Sequence, residues 1–352
     1  THVKNKKHMT RKTLLVDGEW NLRRNFKKRT DLFSFKGEHC GGVYGFLETL
    51  GSTINKVLPD RVVVVWDGEM SGKLRHDIYP LYKADHKEWD EEAYMRTEAQ
   101  MDAELRSKVS CTNQKLKTKN LLDGMFIRQA EVDLIEGDDL IALYVQMKEK
   151  DEQVIIFSRD KDYYQLIDEN VYVLRPADNI IVTPTNFKSL FGYIKENSLL
   201  LKCIEGDAGD GVAGVPKVAY ATIVKYFPKF KDEVYTIDRF IDEAFELYHQ
   251  KKHKVLENIM GARSLCQRNK ILMDLRNPLI NEEAVKEIEI IRECVMAKEN
   301  GQFDRSIQDV MSEVIKEGYL RFMYNNDINS FFLPYQRIAT KEKEYTKKIL
   351  EG

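Results

Sequence analysis

The chain has 352 residues, 43% of them hydrophobic and only 8 proline, which supplies enough apolar material for one large globular body or two closely packed ones and excludes a disordered chain. Its 57 acidic and 55 basic residues nearly cancel, for a net charge of −2, so bulk cationic coating of nucleic acid is excluded and any polyanion site must be local. No apolar run of about 18 residues occurs and no apolar stretch follows the basic N-terminus, so a soluble, cytoplasmic protein without membrane contact is expected, and five dispersed cysteines with no C-x-x-C pair predict reduced thiols, not disulfides or a zinc site.

In chain order, the first twelve residues carry Lys4, Lys6, Lys7, Arg11 and Lys12 and no acid. They read as a solvated tail in preference to a phosphate-touching arm. Short runs rich in Val, Ile and Leu predict buried strands at Thr13 to Val16, Val62 to Trp66, Met125 to Ile127, Val154 to Phe157 and Val171 to Leu174. The long crossovers between them imply a mostly parallel α/β sheet with helices on both faces. Between Gly68 and Asn120 lies a polar stretch too long for an ordinary loop, read as a mobile helical excursion above the strand ends. Beyond residue 185 the pattern turns helical, punctuated by Glu205-Gly-Asp-Ala-Gly-Asp-Gly-Val-Ala-Gly214, and amphipathic helices dominate from Tyr235 onward.

Carboxylates follow the strands. Asp17 comes directly after the first run, Asp67 after the second, and Asp160 and Asp162 shortly after Phe157, while Glu136-Gly-Asp-Asp139 opens a helix with Leu140, Leu143, Tyr144 and Met147 on one stripe. In a parallel sheet these ends share one rim, which Asp207 and Asp210 can join from the glycine-rich segment. A single Asp after a strand is usually a helix cap, and D-x-D alone is weak. Three acids at one helix entry exceed what capping needs, and nine carboxylates together would repel one another unless a cation neutralised them. An oxygen-only set without Cys or His suits Mg²⁺ or Mn²⁺, and two such ions suit phosphodiester hydrolysis.

In order and context, Leu14-Leu-Val-Asp-Gly18, Val65-Trp-Asp-Gly68, Ile135-Glu-Gly-Asp-Asp139, Phe157-Ser-Arg-Asp-Lys-Asp162 and Glu205-Gly-Asp-Ala-Gly-Asp-Gly211 resemble the flap endonuclease and 5′ to 3′ exonuclease family, phage RNase H and phage 5′ exonucleases above all. The likeness spans roughly residues 12 to 280. It implies a first, catalytic metal site of Asp17, Asp67, Glu136, Asp138 and Asp139, and a second of Asp160, Asp162, Asp207 and Asp210. Tyr82-Lys83 is similar to the family's arch-base Tyr-Lys, which implies that Lys83 stabilises the transition state electrostatically. Where the family has a basic residue three positions further on, His86 stands here with Lys87 beside it. Gly211, Gly214 and Lys217 are similar to a helix-turn-helix variant that grips duplex backbone and often holds K⁺. Pro216 replaces a residue with an N–H in that loop, which counts against the K⁺ ion.

The implied organisation is a basic tail at 1–12, a nuclease core at 13–185 with an arch at 68–120, a duplex-binding region at 186–280 and a C-terminal helical region at 281–352. Implied partners are branched or flapped DNA, RNA–DNA hybrid and a single-strand-binding protein, for a monomeric enzyme of replication, primer removal or repair, working in the host cytoplasm if of phage origin. Arg268-Asn-Lys-Ile-Leu-Met-Asp-Leu275 is similar to the stretch that closes the family's core. Asn325-Asn-Asp-Ile-Asn-Ser-Phe331-Phe332 resembles a sliding-clamp peptide, although an apolar trio at that spacing is more often core. The competing readings are a PIN-type ribonuclease, which lacks the glycine-rich loop and the long arch, and a catalytically silent branched-DNA-binding protein, which would lack an acid.

Overall fold

In the computed structural model, which describes residues 11–84, 98–293, 306–319 and 327–350, the β-branched runs form strands because both of their faces are covered. The elements run β1 (Lys12–Asp17), α1 (Gly18–Lys28), α2 (Gly41–Val57), β2 (Arg61–Val65), α3 (Lys73–Ile78), α4 (Glu98–Gly124), β3 (Arg128–Ala130), α5 (Gly137–Met147), β4 (Gln153–Phe157), β5 (Val171–Leu174) and β6 (Ile181–Val182). There follow α6 (Pro184–Phe191), α7 (Ser198–Glu205), the hairpin β7 (Gly206–Asp207) and β8 (Val212–Ala213), α8 (Tyr220–Tyr226), α9 (Ile237–Lys251), α10 (Lys254–Met260), α11 (Arg263–Met273), α12 (Glu282–Glu293), α13 (Ile307–Glu317) and α14 (Ile328–Leu350).

The large sheet has the order β3-β2-β1-β4-β5-β6. Its first five strands are parallel and β6 pairs antiparallel to β5. Alternate side chains enter opposite layers. Leu15, Val63, Val65, Val154 and Ile156 pack with α5 and the later helices, while Leu14, Val16, Val62, Val64 and Ile155 pack with α1, α2 and α14. The connections leave β1 in one direction to β2 and β3, and then return to β4 on its other side. The crevice between the carboxyl ends of β1 and β4 is therefore the switch point, where ligands of such sheets collect.

Two expectations need correcting. Met125 to Ile127 is no strand: α4 runs to Gly124, Phe126 takes a left-handed φ of 61°, and the strand follows at Arg128. Those three side chains are fully buried plugs in a helix-to-strand turn. The polar strand after them escaped notice because its polar groups find partners, Arg128 on Glu342 and Gln129 on the Trp66 indole N–H at 2.9 Å. The polar excursion is also less separate than expected. The second half of α4 joins the core, with Gln114 and Thr118 buried and Gln114 Oε1 accepting from the N–H groups of Gly42 (2.7 Å) and Val43 (3.2 Å).

The clamp-like segment belongs to the core where it is described. Ile328, Phe331 and Phe332 pack in the layer beneath α2, Phe331 stacks on Tyr44 and Tyr335 donates to the Leu47 carbonyl. Beyond it, α14 inserts Glu342 between two buried arginines. Arg128 binds it through two hydrogen bonds of 2.9 and 2.7 Å, and Arg61 lies 3.4 Å away. The same arginines cap the end of α12 at the Arg292 and Ile291 carbonyls, and Tyr345 lies under both guanidinium groups. No helix among the described residues is long and apolar enough to cross a membrane.

Removing Glu342 would strand two buried cations, a change that typically costs about 3–5 kcal/mol. Glu342→Gln is expected to lower the urea midpoint by that order of free energy. An unchanged midpoint would show that the ion cluster does not hold the C-terminal helix.

Candidate metal centre

Each acid is placed by the element before it. β1 ends at Asp17, whose Oδ1 accepts from Trp20 N at 3.0 Å and so caps α1 while Oδ2 accepts from Ser158 Oγ at 2.9 Å. Asp67 follows β2 and accepts from Gly137 N at 2.7 Å, which ties it to the start of α5. A Cβ at Gly137 would crowd this contact, standing 3.2 Å from Asp67 Oδ1. Glu136 is the N-cap residue of α5, with Asp138 and Asp139 in its first turn. Glu136, Asp138 and Asp139 offer oxygens within 4.8 Å of one another, close enough that small rotations would set all three around one hard cation.

The remaining acids connect to this group by direct contacts. Asp160 N donates to Ser158 Oγ (3.1 Å), and Asp162 N donates to Asp160 Oδ1 (2.8 Å). Lys202 Nζ spans Asp162 (2.9 Å) and Asp207 (2.6 Å). Asp210 N reaches Asp207 Oδ1 at 3.2 Å. Tyr82 Oη lies 3.0 and 3.1 Å from the two Glu136 oxygens and 3.2 Å from Asp210 Oδ2, and Lys83 Nζ pairs with Glu136. Thus Asp17, Asp67, Glu136, Asp138, Asp139, Asp160, Asp162, Asp207 and Asp210 occupy one rim with Tyr82 and Lys83. Gly211 and Gly214 lie in and beside the β7–β8 hairpin, with Lys217 exposed just after it. His86 and Lys87 lie outside the described residues.

Two cations of the site were missed from sequence. Arg75, on α3, is buried between Glu136 and Asp139, pairs with both, donates from Nη2 to Asp139 Oδ1 at 2.9 Å and from Nε to the Leu272 carbonyl at 2.7 Å. Nothing in the sequence distinguishes it from its polar neighbours. Lys202 did leave a signal, as the lone cation on an apolar helix turn five residues before Asp207.

A family model described as "5'-3' exonuclease, N-terminal resolvase-like domain" matches residues 12–192. The chain is 26% identical over 220 residues to a 5′-3′ exonuclease of Buchnera aphidicola subsp. Schizaphis graminum, covering 62% of this chain and 70% of that one. It is 24% identical over 308 residues to a 5′-3′ exonuclease of Mycoplasmopsis pulmonis, covering 84% and 95%. Among solved structures, T5 5′-exonuclease with bound zinc superposes with a TM-score of 0.62 at 19% identity, over 80% of this chain and 99% of that one.

The electrostatics fit a divalent cation. Burial, with repulsion from Asp67 and Asp160, pushes the Asp17 carboxyl up to about 7 against the hydrogen bonds from Trp20 and Ser158. Burial and the neighbouring Asp160 push Asp162 up to about 7, against the pull of Lys202. Asp138 is raised well above its usual range, by burial and then by Asp139 and Glu136 despite Arg75, and its Oδ1 is buried with no hydrogen-bond partner. Glu136 is held below its usual range because Arg75 and Lys83 outweigh its burial. Burial alone would lower the Lys83 ammonium, but Glu136 and Asp210 hold it above its normal range.

Raised folded-state values mean that the native protein holds protons the unfolded chain has released, so stability falls as pH rises from about 4 to about 7. In EDTA, the urea midpoint is expected to drop across that window. Mg²⁺ or Mn²⁺ at a hundred times its Kd is expected to restore about 2.7 kcal/mol near pH 7. A midpoint indifferent to both pH and divalent cation would exclude a metal centre at this rim.

Proposed function

Because this chain belongs to the 5′-3′ exonuclease family with the N-terminal resolvase-like domain and hydrolyses phosphodiester bonds, we propose that it is a divalent-metal-dependent, structure-specific 5′ nuclease acting on flapped, nicked or branched DNA and on RNA–DNA hybrids. The single observation that carries this reading is the docking of Tyr82 and Lys83, at the base of the excursion, directly onto the Glu136, Asp138 and Asp139 cluster. A cation presented to an acidic cluster is where a scissile phosphate would be held.

In this reading Asp17, Asp67, Glu136, Asp138 and Asp139 hold one Mg²⁺ or Mn²⁺ and Asp160, Asp162, Asp207 and Asp210 a second. When bound, these ions supply an activated water and neutralise charge on the phosphate and the leaving oxygen. Lys83 faces the charge that grows on the phosphate oxygens during attack. Its backbone is fixed at that point, because φ is +49°, a region that non-glycine residues seldom adopt, and its N–H donates to the Asp210 carbonyl at 2.8 Å. Arg75, buried and bidentate on Asp139, bridges Glu136 and Asp139 and orients both. Tyr82 does the same for Glu136 and Asp210.

Gly211, Gly214 and Lys217 would meet duplex phosphates, and His86 and Lys87, which follow Lys83 in the sequence, are further candidates for phosphate contact. Backbone contacts of this kind read shape and carry no base sequence. The organisation that goes with this reading is a nuclease core over residues 13–185, a duplex-binding region over 186–280 and a buttressing region over 281–352. The β7–β8 hairpin, which supplies both Asp207 and Asp210 and the glycine-rich loop, favours this assignment over a PIN-type ribonuclease. A cytoplasmic enzyme of primer removal or repair is the corresponding cellular role.

On 5′-labelled flap, nicked, blunt and RNA-primed duplexes, cleavage is expected with Mg²⁺ and none with EDTA. Lys83→Ala is expected to lower kcat by about 10²–10³-fold, the scale for losing one electrostatic stabiliser, and Asp139→Asn to abolish cutting while flap binding in Ca²⁺ persists. Activity that survives EDTA, or a fully active Asp139→Asn, would refute the mechanism.

A further inference from the structure

Helix α11 joins three parts of the molecule that the reaction needs together. Asn269 is completely buried, and its Nδ2 donates to the carbonyls of Cys203 on α7 (2.8 Å) and Ala213 in the β7–β8 hairpin (2.9 Å). Its Oδ1 accepts from Arg268 Nη2 at 2.7 Å and Nε at 3.1 Å, which fixes the guanidinium plane. Held there, Arg268 donates to the Ala213 carbonyl at 3.2 Å and lies over the Tyr79 ring, 4.3 Å from its centre. One turn further on, the Leu272 carbonyl accepts from Arg75, which grips Glu136 and Asp139.

Tyr79 is the residue at which α3 ends, and Tyr82 and Lys83 come three and four residues later. This short segment rests on the hairpin. Lys83 N donates to the Asp210 carbonyl, and Gly211, at φ +70°, lies so near Leu81 that a Cβ would stand 2.6 Å from its carbonyl oxygen. A small apolar cluster of Tyr82, Leu199, Cys203, Val212, Leu272 and Met273, with Tyr79 packed on it, fills the space between them. Hairpin, arch base and α11 are therefore packed against one another. Most of these contacts are buried and unyielding, whereas the half-buried stack of Arg268 on Tyr79 is a face-on cation contact that tolerates sliding.

We propose that Arg268 is a positioning residue that couples duplex seating on the Gly211–Lys217 loop to the placement of Tyr82 and Lys83, so that hydrolysis is fast only when duplex is held beside the 5′ strand. The coupling rests on the nuclease reading above and adds a route by which substrate shape reaches the carboxylate rim. A duplex backbone that shifts the Ala213 carbonyl shifts the guanidinium bonded to it, and with it the ring at the start of the Tyr79–Lys83 segment. The device needs no new contact with the reacting phosphate.

The test compares single-turnover rates, in Mg²⁺, on a 5′ flap carrying its duplex and on the same strand alone. Wild type is expected to cut the flap faster. Arg268→Gln is expected to reduce that advantage by about tenfold, within the range of measured intersite couplings, through kcat on the flap, with KM within about twofold and the single-strand rate unchanged. Arg268→Lys should recover part of it. Tyr79→Leu should reproduce Arg268→Gln, Tyr79→Phe should match wild type, and the double variant should be no worse than either single one, since both act on one contact. If Arg268→Gln fails to fold, the Tyr79→Leu and Tyr79→Phe pair decides the matter alone. Equal losses on both substrates, an additive double variant, or an unchanged advantage would overturn the coupling while leaving the nuclease intact. A wild-type chain that cuts neither substrate with Mg²⁺ would overturn the nuclease reading itself and the coupling with it.

Discussion

The structure is organised around mutual repulsion among carboxylates gathered at one rim. Parallel strands deliver their carboxyl ends to the same side, so Asp17, Asp67 and Asp160 arrive together as a consequence of topology, and the α5 entry adds Glu136, Asp138 and Asp139. Such a rim opposes folding unless positive charge is interleaved with it. The chain supplies part of that charge itself: Arg75 pairs with Glu136 and Asp139 at the α5 entry, Lys83 pairs with Glu136, and Lys202 bridges Asp162 and Asp207. What remains uncompensated is concentrated on Asp138 and Asp17, and there a divalent cation has the most to gain.

That division of labour explains the position of the polar segment after β2. Arg75, Tyr82 and Lys83 all come from it, so the base of the excursion is anchored by the same charges it helps to balance. The rim and the arch base are consequently one electrostatic unit. The hairpin joins the unit twice, through Asp210 and through the close approach of Gly211 to Leu81.

How much of this could be read from sequence follows from the physics of each signal. Strands β1, β2, β4 and β5 were legible because both their faces are buried, which forces continuous apolar runs. The acids were legible because they stand next to those runs. β3 was not, since Arg128 and Gln129 sit in it with partners 214 and 63 residues distant, and the apolar residues before it plug a turn. Arg75 was opaque for the same reason: its meaning lies in long-range partners, and locally it is one cation among several. The C-terminal helices showed amphipathic periodicity but not what they cover, because Tyr335 and Glu342 meet residues 288 and 214 positions earlier in the chain.

That last feature bears on how the protein comes into being. The layer beneath α2 is completed by Phe332, Tyr335 and Ile338, and the arginines at the foot of β2 and β3 are neutralised by Glu342. During synthesis, the layer that α1 and α2 form on this face of the sheet stays incomplete until α14 has cleared the ribosome. Contacts of such sequence separation are closed late and at an entropic cost. Until then a nascent chain leaves part of an apolar layer exposed, a state in which chaperone capture competes with aggregation.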